Sequence, residues 1–296
     1  MGRYLLFICL SCFITNIKIG AQKIDLDKLL AENTNKNKKV EKFTERTFIS
    51  SRIVNSHSIE GTQKGILDFR ILHRFGTLNK GLYEFFGLDN ASMRMGFDYG
   101  ISDRLSVGIG RSTYQKQYDA FVKYVILRQK LNNTMPVSLS YLASGMIQTL
   151  KDNDPTVKHN FSDRLYFAHQ LIFARKINNG FSLQLMPTLV HYNLVPTLKN
   201  SNDLYSIGSA VKIKISQTIS INSEYYYQIN QLPNTKNSLS VGVDIETAGH
   251  VFQLHVTNST GMTERSFITG TTGTWGNGDI LFGFNISRKF ELKKHK

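Results

Sequence analysis

The chain has 296 residues, 41% hydrophobic and 20% charged, with 36 Lys and Arg against 22 Asp and Glu for a formal net charge of +14. Its two cysteines, Cys9 and Cys12, both fall in an apolar N-terminal run, so the sequence beyond that run offers no disulfide, thiolate metal site, cysteine nucleophile or covalent haem. A basic surface on an exported chain is expected to face anionic outer-membrane lipid or lipopolysaccharide phosphate, not nucleic acid.

In chain order, Arg3 precedes an apolar stretch from Tyr4 to Ile14, and Ile19-Gly20-Ala21 forms a small-residue cleavage site before Gln22. This predicts an export signal over 1–21. The apolar run is shorter than the roughly 20 residues of a spanning helix. Residues 22–43 are polar and charged and read as a flexible leader.

From Thr44 the pattern changes to a period of two. Leu67, Phe69 and Ile71 alternate with Asp68, Arg70 and Leu72, and Met93, Met95, Phe97 and Tyr99 alternate with Arg94, Gly96, Asp98 and Gly100. Strands are predicted at 65–75, 92–101, 104–113, 117–130, 136–149, 162–177, 181–194, 204–216, 219–230, 237–247, 250–258 and 280–290, each with one apolar and one polar face. A thirteenth stretch, 45–56, alternates most poorly. Single-chain outer-membrane barrels have even strand counts, so 45–56 is set aside and twelve is preferred. Fourteen, with an added strand near Arg265 to Gly270, is the runner-up. Very short connections at Ser102-Asp103, Asn178-Asn179-Gly180, Ser216-Gln217-Thr218 and Ala248-Gly249 contrast with long polar ones, the layout of a barrel with tight turns at one rim and loops at the other.

Periodicity alone does not distinguish a soluble barrel, apolar inside, from a membrane barrel, apolar outside. Three features favour the membrane. The polar faces carry Gly, Ser, Asn and paired charges. Tyrosines gather near strand ends, as in the aromatic girdles of membrane barrels. The last strand, from Ile280 to Phe290, sets Ile280, Phe282, Phe284, Ile286 and Phe290 on one face. The reading is an all-β, antiparallel transmembrane β-barrel spanning 44–290, with a basic tail at 291–296.

That last strand resembles the assembly signal of outer-membrane barrels, which implies the barrel-assembly machinery as a partner; Glu291 to Lys296 follow the phenylalanine, a departure from the strict terminal form. More broadly, LDFRILHRFG (67–76), YEFFGLDNASMRMGFDYGISDRLSVGIGRS (83–112) and YDAFVKYVILRQ (118–129) resemble an uncharacterised outer-membrane β-barrel family of Bacteroidota that carries only a domain-of-unknown-function label. The resemblance implies the fold and an outer-membrane location, and supplies no catalytic residues.

Little else in the sequence signals chemistry. No histidine pair has metal-site spacing, and no cofactor motif occurs. An outer-membrane lipid hydrolase would need a serine, a histidine and an orienting acid or amide at one rim; Ser56-His57-Ser58 and His159 to Asp163 are the local candidates, against an expectation that the protein is no enzyme. Asp68, Arg70, Arg74, Arg94 and Asp98 are expected to form a lumen charge cluster, either neutralising itself or selecting solutes. The loop from Gly76 to Asn90 holds Leu82, Tyr83, Phe85, Phe86 and Leu88 and is expected to pack inward or at the membrane interface. The Gly- and Thr-rich stretch 258–279, with Trp275, reads as a flexible extracellular loop. Two roles stay open: a channel or transport-associated barrel for a small solute, and a closed barrel serving as a binding or scaffold component for a periplasmic or surface partner.

Overall fold

A computed structural model describes residues 42–152 and 159–292; the predicted signal, nearly all of the leader and most of the basic tail lie outside them. The described residues form twelve strands: β1 (Ile66–Thr77), β2 (Ala91–Gly100), β3 (Leu105–Ser112), β4 (Gln117–Leu127), β5 (Ser138–Gln148), β6 (Leu165–Lys176), β7 (Phe181–Tyr192), β8 (Asp203–Lys214), β9 (Ile219–Gln228), β10 (Ser238–Thr247), β11 (His250–Thr257) and β12 (Leu281–Glu291). Each pairs antiparallel with its neighbours in sequence, and β1 closes the barrel on β12, with Leu67 opposite Phe290 and Ile71 opposite Ile286. The proposed fourteenth strand is instead a single π-helical turn, Arg265–Thr269.

The alternation turns the apolar face outward. Phe97, Ile109, Val122, Leu171, Leu185, Ile207 and Leu254 are exposed on the outer surface, while their neighbours Asp98, Lys123, Gln170, Gln184, Ser206 and Gln253 are buried inside. In water this outer surface would be a large penalty at about 25 cal/mol per Å² of apolar area. Against hydrocarbon it is the expected surface of a transmembrane barrel, whose strands pair with a neighbour on both sides all the way around the ring. Pro187 sits mid-strand in β7, where it has no N–H to give the ladder; pairing with β6 runs to Gln170↔Thr188 and resumes at Phe173↔Leu185 on either side of it.

The tight turns 101–104, 177–180, 215–218 and 248–249 lie at one rim, with the start of β1 and the end of β12. The connections 78–90, 193–202, 229–237 and 258–280 lie at the other, as do 149–152 and 159–164. The wall therefore begins at Ile66, and 42–65 is no part of it. That segment enters the lumen at the tight-turn rim, where Phe43 bridges Lys130, turns back on itself through an Arg52↔His57 bridge, and leaves at Lys64 beside Gly100. Gly100 is needed there because a Cβ would stand 1.9 Å from the Gln63 carbonyl oxygen.

Candidate functional site

The interior is filled by the chain's own backbone, and the fit is mostly polar. The tip of the 42–65 hairpin is a tight turn in which the Ile53 amide donates to the Ser56 carbonyl at 2.8 Å. This turn aims successive amides at one carboxylate, Glu224 on β9. Val54, Asn55 and Ser56 donate from their backbones at 3.3, 2.8 and 3.1 Å, and Ser56 Oγ donates at 2.5 Å. Glu224 is buried, so these four bonds are what compensate its desolvation. Further wall contacts fix the hairpin along its length. Gln184 on β7 accepts from the Ile59 amide and donates to the His57 carbonyl. Lys123 on β4 donates to the carbonyls of Ser58 and Glu60. Arg74 donates to Asn55 at 2.7 Å, and Asn285 donates to the Val54 carbonyl at 2.9 Å.

From the opposite rim the 258–280 connection dips into the same lumen. This corrects its reading as a flexible loop: Ser259, Met262, Thr263, Glu264 and Ser266 to Thr269 are all buried. Two faces explain the insertion. Thr263 and Ser266 donate from their hydroxyls to Gln117 on β4 at 2.6 and 2.8 Å. Phe267 and Ile268 join a cluster with Leu142, Met146, Ile172, Met186 and Tyr226, the inward apolar residues of β5 to β9. Phe267 meets Tyr226 edge-on at 5.4 Å, and the Arg265 guanidinium lies 4.5 Å from the Tyr166 ring centre. The outer loop took the reverse path. Leu82, Tyr83, Phe85 and Phe86 are exposed, so the inward alternative for Gly76 to Asn90 is not taken.

The two inserted segments meet at mid-lumen. Glu264 reaches Arg52 at 3.5 Å and His57 at 3.4 Å, all three buried. Burial lowers the Arg52 and His57 pKa values, with Arg52 adding its own repulsion at the histidine, and burial raises that of Glu264 against the pull of Arg52. Neither Arg52 nor Glu264 stood out in the sequence: one sat in a discounted strand, the other in a loop read as solvated. An acid within an otherwise Gly- and Thr-rich loop was the available signal.

The five residues of the expected charge cluster are all buried, on β1 and β2. They divide among partners. Asp68 pairs with Arg70, which approaches Asp98 at 3.4 Å. Arg94 binds not Asp98 but Asp119 on β4, through two nitrogens. Arg74 stands apart, on Asn55 and Asn285. Arg94 fits because Gly110 faces it; a Cβ there would lie 2.2 Å from Nη2.

The hydrolase candidates are not assembled. Ser56 Oγ is held by Glu224, Ser58 Oγ donates to the Ser50 carbonyl, and His57 packs edge-on against Phe121 with centroids 4.4 Å apart. His159 pairs with Asp152 at 2.9 Å, at the other rim from the hairpin's entry.

A family model described as a membrane-bound β-barrel domain (DUF5777) matches residues 48–290. None of the curated proteins matches the sequence. Among solved structures, the NanC porin is similar at a TM-score of 0.49 and 10% identity, over 76% of this chain and 100% of that one. An outer membrane channel from Pseudomonas putida F1 is similar at 0.48 and 12%, over 80% and 100%. The KdgM porin is similar at 0.45 and 9%, over 78% and 99%.

Proposed function

Since this chain belongs to the membrane-bound β-barrel domain family DUF5777, we propose that it is an outer-membrane channel for a small solute, held shut at rest by its own hairpin and inserted loop. The observation that carries this reading is the polarity of the hairpin's seat. Amides on Glu224, a glutamine on Ile59 and His57, and a lysine on two carbonyls are bonds that water can replace. On leaving the lumen the hairpin gives up this polar seat together with its smaller apolar share, the buried Phe48, Ile53, Val54 and Ile59. On this reading the tight-turn rim faces the periplasm, and the hairpin closes the barrel from that side.

One observation favours the second reading, a permanently closed barrel that serves as a scaffold. Phe267 and Ile268 pack into apolar wall residues, which is the build of a core. The two separate on one experiment. Conductance is recorded in planar bilayers for the whole protein and for a variant lacking 43–63 with a short Gly-Ser bridge in place of 260–271. A heat-dependent gel shift confirms that each has folded. The channel reading expects a silent or rarely opening parent and a steadily conducting variant. A folded variant that stays silent leaves the scaffold.

A further inference from the structure

Beneath the hairpin, at the tight-turn rim, lies a cavity of about 260 Å³. Four cations line it: Arg46 from the root of the hairpin, Lys176 at the end of β6, and Lys212 and Lys214 at the end of β8. Among the described residues, Glu45 is the one carboxylate on the lining. Arg46 is engaged by Glu246. No carboxylate pairs with any of the three lysines among the described residues. Instead, Lys176 Nζ donates to the Glu45 carbonyl at 3.1 Å and Lys212 Nζ to the Arg46 carbonyl at 2.8 Å. Lys212 is itself buried. A neutral carbonyl accepts a hydrogen bond from a buried ammonium but supplies no opposing charge, so the charge of Lys212 is left unneutralised there.

The backbone that supplies these carbonyls is strained. Arg46 has φ 58°, in the left-handed region that strains a residue with a side chain. The turn at Arg46 thus presents its carbonyl to Lys212 from a left-handed backbone.

We infer that this cavity binds a small multivalent oxyanion, a di- or tricarboxylate or a pyrophosphate, and that the anion releases the hairpin root. The size supports it, since about 260 Å³ is near the lower end of ligand cavities, which start at roughly 300 Å³. The concave, basic lining focuses field on a single point. An anion bound there bridges Lys176, Lys212 and Lys214 and draws the first two away from the Glu45 and Arg46 carbonyls. The binding step stands independently of the channel reading; the release step rests on that reading and names the solute class that would trigger opening.

The test uses the whole protein in detergent with citrate as the probe. Titration calorimetry at constant ionic strength is expected to show saturable binding. Lys214→Gln with Lys176→Gln should weaken it at least tenfold without altering the heat-dependent gel shift. Limited proteolysis is expected to cut within residues 43–50 faster when citrate is present, and acetate at equal ionic strength should not reproduce this. Binding that is absent, or unchanged in the double variant, overturns the site. Binding with no change in cleavage overturns the release step. Citrate binding in a protein whose lumen-emptied variant never conducts keeps the site and removes the channel.

Discussion

Two loops at the same rim went to opposite places. The 78–90 loop, with six large apolar side chains, stays outside the barrel, and the 258–280 connection, rich in Thr, Ser and Gly, fills the inside. In a soluble protein the assignment would be reversed. In a barrel whose outer wall is apolar and whose lumen is largely polar, apolar chain gains by staying near the outer wall. Small hydroxyl-bearing chain gains by entering, provided each hydroxyl finds a partner. Thr263 and Ser266 find Gln117, and Thr269 meets the Tyr192 hydroxyl at 2.7 Å. Loop hydropathy must therefore be judged against the surface it can reach, not against water.

The strongest way to break the inside half is at Glu224. Glu224→Ala leaves three amides and a hydroxyl without their acceptor in a buried seat. The expected loss is about 3–5 kcal/mol of hairpin seating, read as new protease cleavage between 50 and 60. Glu224→Gln should lie between the two, since the amide retains one acceptor oxygen but no charge. Cleavage as slow as in the parent would mean that the tip is held by something other than this carboxylate.

Next in size is Gly261→Val, which acts on the inserted loop alone. A Cβ at Gly261 would stand 2.2 Å from Ser266 Cβ, across the turn that sends 262–269 inward. A displaced loop should cost about 1–3 kcal/mol and make 260–271 accessible to added protease from the long-loop side. An unchanged digestion pattern would show that the loop tolerates a rebuilt turn and that its hydroxyl bonds, not its shape, hold it inside.

These effects also mark what the sequence could and could not reveal. The twelve wall strands are legible because period-two alternation is local, and eleven of the twelve start within two residues of the predicted positions, the exception being 162–177, which begins at Leu165. Setting aside 45–56, on parity and on its poor alternation, agrees with the twelve-strand wall. The physical reason is that 45–56 is surrounded by lumen wall, so Phe48, Ile53 and Val54 are buried alongside Ser51, Arg52 and Ser56 with no outward face. The loops were not legible, because their destination depends on long-range partners: Glu264 is 207 residues from His57 and 212 from Arg52 in the chain, and only the closed wall brings them together. The inward apolar side chains of β5 to β8, such as Leu142, Ile172 and Met186, were likewise hidden, because those strands are apolar on both faces.

A smaller effect tests where the two inserted segments meet. His57 has its pKa held well below the ordinary 6.5 by burial and by Arg52. A depressed histidine contributes its full stability above about 6.5 and loses it as the pH falls toward the folded value, because the unfolded chain takes the proton first. Glu264 works the other way: burial raises it, so the folded protein takes up that proton earlier than the unfolded chain. The comparison of parent with His57→Asn isolates the histidine. Its stability advantage, measured as the unfolding midpoint, is expected to shrink as the pH falls from about 7.5 to about 5. An advantage that grows on acidification would mean that protonated His57 pairs productively with Glu264.

The smallest effect belongs to the outside half, and it is the one that decides what the 78–90 loop rests on. Leu82 and Tyr83 are 78% and 93% exposed, so Leu82→Ser should change unfolding by no more than about 0.5 kcal/mol. Stability is therefore blind to the question, and position is the better readout. Trp275 is the single tryptophan of the chain. In a Trp275→Phe background, Tyr83→Trp reports the loop alone, and brominated lipid quenches an indole that touches acyl chains. Strong quenching is expected, because an apolar loop projecting from an apolar wall gains about 25 cal/mol for each Å² it takes out of water. The same probe at Ser266, buried in the lumen, should be unquenched. Equal, weak quenching at both positions would place the 78–90 loop in water. Its aromatic residues would then have to be explained by a protein partner, and the contrast between the two loops would no longer be one of solvent.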